Sequence, residues 1–164
     1  DTTSLNSKAY LSSLTGPRVL AKLPSLEALR EQYEGELSVN FAHLVLPFDS
    51  VTYLRDREKY VPPATLGLFD SGLNTTILDD ELAENHLGGK LDTTNYWYQF
   101  NIGNHVHDYL RDSSSEYAAS FYVFPASGSP VAKLAYSPAR IVLNGTNCDG
   151  KTPYLRIVYS IIPK

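Results

Sequence analysis

Between Tyr96 and Pro125 the spacing of apolar positions changes period twice. Tyr96, Tyr98, Phe100 and Ile102 alternate with Trp97, Gln99 and Asn101, the period-two pattern of a strand with one buried face. Val106, Tyr109 and Leu110 then recur at i, i+3 and i+4, which predicts a short helix over 103–111 lying apolar side down. Asn101 or Asn104 is suited to cap its start, and Arg111 suits its C-terminal end. After a polar Ser-Ser-Ser-Glu turn, Phe121, Val123 and Pro125 alternate with Tyr122 and Phe124. The unit predicts a helix that plugs one end of a β-sandwich between two core strands, with Phe100 facing the core.

The flanking segments repeat the theme with shorter elements. Residues 1–15 are polar with scattered Leu and Tyr, a lead-in arm or edge segment. Arg18 to Leu23 alternates as a strand that Pro24 closes. Ser25 follows as N-cap of a second helix, about 25–34, with Leu26, Leu29 and Tyr33 on one side and Gly35 at its end. Glu36 to Leu46 is the longest strand candidate and stops at Pro47. Residues 49–63 are charged and end in two prolines, which reads as a crossover loop. Residues 64–70 and 73–80 each read as a short strand, and 81–90 as one helical turn or a loop ending at Gly88-Gly89. Residues 127–130 form a plain turn, 133–145 one bent strand or two short ones, and 145–153 a turn-rich loop. In the closing strand, Tyr154 to Ile162, Leu155, Ile157, Tyr159 and Ile161 oppose Tyr154, Arg156 and Val158. Seven or more short strands at this spacing predict an all-β fold: a jelly-roll-like two-sheet β-sandwich with two short helices, in a single domain over 1–164.

Composition fits that class. Twelve Tyr, ten Pro and ten Gly favour strands and frequent turns. The net charge of -4 argues against a nucleic-acid partner, whose phosphates demand a basic face. No apolar run approaches the ~20 residues that a membrane-spanning helix needs. The chain opens on a polar stretch and contains no Met, so the expectation is a processed product or a piece of a longer polypeptide. Its single cysteine, Cys148, excludes an internal disulfide.

Candidate chemistry is sparse. His105 and His107 sit two apart, about 200° apart around a helix and unlike the i, i+4 pair of metal sites, so they read as solvated helix-face residues. The acids Asp79, Asp80, Glu81 and Glu84 read as a solvated face; with Asp70 they are the weak candidates for a structural cation, and no metal or cofactor is expected. They also offer a carboxylate pair of the kind glycoside hydrolysis uses. No Gly-x-Ser-x-Gly elbow occurs, and a non-catalytic domain is expected. Aromatics carry the ligand argument. With Tyr96 and Tyr98 inward, Trp97 points outward, beside Tyr122, as a stacking platform for apolar sugar faces. The competing reading is a Trp97 covered by the 49–63 loop or by a missing domain.

Several segments in this order resemble a family of Bacteroidota surface lipoproteins catalogued as domain of unknown function 4270. They are residues 9–29, 38–49, 60–70, 98–110, 121–127 and 137–164, most of the chain after its start. More loosely, the order of these patterns is similar to DNRLRE-type β-sandwich domains, some of which bind carbohydrate. The resemblance implies the C-terminal domain of a longer lipoprotein at the cell surface and outer membrane. That protein would be held to the membrane only by a lipidated N-terminal Cys outside this chain. It also implies partners among other outer-membrane or surface proteins, with glycans as the alternative partner, and no catalytic residues. Exported proteins of that phylum carry O-glycans at Asp-(Ser/Thr) motifs, which here marks Ser50 and Thr93. The Asn sequons at Asn74 and Asn144 matter only in a host with Asn-linked transfer.

Overall fold

In a computed structural model the protein is described over residues 7–13, 18–33, 36–72, 87–111, 116–126 and 139–162. Two antiparallel sheets enclose one core. The larger has seven strands in the order β2-β7-β4-β5-β6-β3-β9: β2 is Val19–Lys22, β3 Leu37–Pro47, β4 Thr65–Asp70, β5 Gly88–Asp92, β6 Trp97–Asn101, β7 Ser120–Ala126 and β9 Tyr154–Ile161. The smaller pairs β1 (Lys8–Ser12) with β8 (Arg140–Asn144). The large sheet curls, and the whole is a β-sandwich-like all-β fold, as the strand pattern predicts. The strands are divided unequally between the two sheets, and Phe48 joins them by a bridge to Leu143.

The inward faces are those the alternation marks. Tyr98, Phe100 and Ile102 from the β6 segment meet Leu66 and Leu68 of β4, Phe121 and Val123 of β7, and Leu44 of β3, all essentially inaccessible. Leu11, Ile141 and Leu143 close the core from the small sheet, so residues 8–12 are a core-lining strand rather than only a lead-in arm. In β3 the register slips between Val39 and Phe41. A bulge of this kind reverses the parity of the strand: Leu37 and Val39 face in before it, Ala42, Leu44 and Leu46 after it.

Three helices occur among the described residues, one more than the sequence predicts. Helix α1 (Pro24–Tyr33) starts at the proline, whose missing N–H costs nothing in a first turn. Ser25 therefore lies inside the helix instead of capping it. Helix α3 (Gly103–Arg111) plugs the sheet with Val106, Tyr109 and Leu110 buried. The extra helix, α2 (Ser50–Asp56), occupies the predicted crossover loop. Asp49 caps it, accepting hydrogen bonds from the Val51 and Thr52 N–H groups at 3.1 and 3.4 Å. Its signal is weak because Val51 and Leu54 stay exposed and only Tyr53 packs inward, against Phe48. Gly88-Gly89 begins β5 instead of ending a loop. Both have positive φ, and a Cβ on Gly89 would meet the Leu66 carbonyl and the Phe100 ring. The readings for residues 73–86, 127–130 and 133–138, and Asp79 and Asp80 with them, fall outside the described residues.

Candidate interaction surface

The most open part of the described molecule is its last strand. β9 pairs with β3 through eight registered positions, and among the described residues nothing pairs with its other side. The Ile162 N–H donates to the Glu36 carbonyl at 2.8 Å. Antiparallel strands alternate, so Tyr154, Arg156, Val158 and Ser160 also turn their backbone groups toward β3. Leu155, Ile157, Tyr159 and Ile161 then present N–H and C=O groups to the open edge. The core face is apolar, and on the outer face Tyr154 and Val158 alternate with Arg156 and Ser160. Leu155 and Ile157 pack on the core, Tyr159 leans on Tyr33 with ring centroids 6.1 Å apart, and Tyr154 and Val158 are exposed. Ile161 and Ile162 each keep 54% of their surface in solvent. The one charge, Arg156, holds its guanidinium 5.4 Å from the centroid of the Phe41 ring on β3.

Trp97 points away from the core, as its position opposite Tyr98 predicts, and is half-buried. The Lys151 ammonium lies 5.2 Å above its ring and donates to the Asn95 carbonyl at 3.0 Å. Tyr122 is not beside it. It sits on β7, three strands from β6, about 14 Å laterally at ordinary strand spacing. The two aromatics therefore do not form one platform.

Asp70 and His105 are the buried polar centre. The Asp70 carboxylate accepts from the Gly72 N–H at 2.6 Å and the Ala118 N–H at 2.8 Å. His105 Nε2 lies 3.5 Å from that carboxylate and 3.2 Å from the Ala118 carbonyl, to which it donates. His105 thus corrects the solvated-face expectation: it is buried between the Tyr117 and Phe121 rings. Period reading misses this because the partner carboxylate comes from a distant strand. His107 is pinned as well, its Nδ1 accepting from Val39 N–H at 3.3 Å beside the β3 bulge. Asp70 serves backbone donors and is inaccessible, which is structural work. Among the described residues no three His, Cys, Asp or Glu side chains gather as metal ligands would.

Ser50 opens α2 directly after a sequestered Asp49, whereas Thr93 stands exposed in a turn that Asp92 organises by accepting from Thr94 and Asn95 N–H groups, both at 2.9 Å. No described helix is long and apolar enough to cross a membrane. Comparison with protein-family models, curated proteins and solved structures finds no match for this chain.

Proposed function

We propose that this chain is a non-catalytic interaction domain of a cell-surface, outer-membrane lipoprotein, working through protein–protein contacts in an envelope assembly. One observation carries the contact: an eight-residue edge strand, β9, apolar on its core face, with Arg156 as its one charge and no strand paired to its outer edge among the described residues. It has no internal proline, no lysine and no bulge of its own. Exposed edges of this kind bind other chains by strand addition. The envelope setting rests on the sequence resemblance, and Thr93, the more accessible motif, is the better O-glycan acceptor of the two. On native gels of mild-detergent extracts from the source cell, the domain should migrate within an assembly that Val158→Lys dissociates. Migration unchanged by that substitution sinks the reading.

The carbohydrate-binding alternative draws on one observation, the outward Trp97 with Gln99 and Asn101 on the same strand face. Lys151 over its ring and the distance to Tyr122 weaken it. Glycan-array binding that disappears with Trp97→Ala would restore it.

A further inference from the structure

We infer that the partner at the β9 edge is a second copy of this chain, added antiparallel across a two-fold axis through Val158. This rests on the edge reading above and adds the occupant. The edge offers the backbone groups of Leu155, Ile157, Tyr159 and Ile161, and a two-fold ladder must pair those four among themselves to leave none open. Centring on Val158 does so. Leu155 meets Ile161 of the copy, Ile157 meets Tyr159, and the reverse pairs follow by symmetry. Moving the axis to Ile157 sets Ile161 opposite Pro153, and moving it to Tyr159 sets Leu155 opposite Pro163. Proline has no N–H to give.

The side chains agree with the same register. On the core face every pair is apolar. On the outer face Tyr154 meets Ile162, Val158 meets itself, and Arg156 meets Ser160. The two arginines then stand four residues apart along the pair, about 13 Å and beyond a Debye length at physiological salt. Centring on Arg156 would instead place them face to face. The five large apolar residues exposed at the end of the chain, Tyr154, Val158, Tyr159, Ile161 and Ile162, all fall inside this contact. Isologous pairing of this kind closes on itself and leaves β2, the far end of the sheet, as the outer edge of each copy.

Sedimentation velocity of the whole chain over a concentration series should show a monomer–dimer equilibrium, shifted at least tenfold toward monomer by Val158→Lys, with melting by circular dichroism unchanged at concentrations where both proteins are monomeric. In a Cys148→Ser background, Val158→Cys should form a disulfide dimer on mild oxidation. A directly opposed pair without mutual backbone bonds lies about 4.5 Å apart at Cα, within disulfide range. Arg156→Cys should not cross-link. A monomer at every concentration, or a dimer that ignores Val158→Lys and does not cross-link through position 158, overturns the inference. If the chain is monomeric but its native assembly still depends on Val158, self-pairing fails while the interaction reading stands. If that assembly is also indifferent to Val158, both fail.

Discussion

Among the described residues, the two ends of the seven-stranded sheet are left unpaired in different ways. β2 is four residues long, finishes in Lys22 and runs straight through Leu23 into Pro24 of α1, so little ladder is offered before the chain leaves the sheet. Arg18, just before it, lies 5.5 Å over the Phe69 ring and keeps a charge beside that edge. β9 is eight residues long, about 27 Å, with a single arginine turned back over Phe41. The β2 half also contains the buried Asp70–His105 centre, which ties β4 to the segment leading into β7 and to α3. A sheet of one composition can thus be closed at one end and receptive at the other, and the difference lies in length, charge and brace rather than in strand propensity.

The largest effect should come from the strand both halves share. Phe100 of β6 is inaccessible, and Phe100→Ala should cost about 3–5 kcal/mol, read as a lowered denaturation midpoint. An unchanged midpoint would reverse the inside–outside assignment of the whole central unit. Next, Asp70→Ala should cost about 2–4 kcal/mol, because the Gly72 and Ala118 N–H groups lose their acceptor in a buried site. If the β2 half is braced as described, amide exchange should accelerate in β4 and β7 and not in β9. Uniform acceleration would show that the two halves open together and that the contrast between them is only cosmetic.

The same contrast separates what could be read from the sequence from what could not. The faces of β6, β7, α3 and β9 were legible because each is a short-range alternation with a single dominant period. Strand order was not, since pairing is set by contacts between distant segments. Alternation thus marks the closing strand without its place at an edge, and sets Trp97 beside Tyr122 although two strands lie between theirs. β1 is hidden because only Ala9 and Leu11 face the core, and α2 because Asp49 reads as loop charge. Gly88-Gly89 reads as punctuation, while its positive φ serves a register shift inside a strand.

Away from both edges, Asp49 offers an intermediate test. Burial raises its pKa, yet hydrogen bonds from Lys8 and Thr52 outweigh that and leave it below the usual carboxylate value. A lowered folded pKa gives stability that is present above the unfolded pKa of about 4 and lost as pH falls through the folded value. Asp49→Ala should cost about 1–2 kcal/mol at pH 7 as a lost helix cap, and should flatten the acid limb of the stability profile. Association through β9 at neutral pH should not change. Loss of association would mean that the small sheet, and not the β9 edge, carries the contact.

The finest test adds a charge instead of removing a contact. Ser160 faces Arg156 of the copy in the Val158-centred register, so Ser160→Glu should create two symmetric cross-strand ion pairs per dimer. Opposed charges on neighbouring strands contribute about 0.2–1 kcal/mol each, so the two together should tighten the dimer roughly 2- to 30-fold at low salt. In 1 M salt the Debye length is about 3 Å and the gain should fade. Ser160 is exposed, so its folding stability should move by no more than about 0.5 kcal/mol. Lys22→Glu, the matching change on the β2 edge, should leave the dimerisation constant where it was. Equal responses from the two substitutions would mean that net charge alone governs association, and the difference between the two edges would then have no functional meaning.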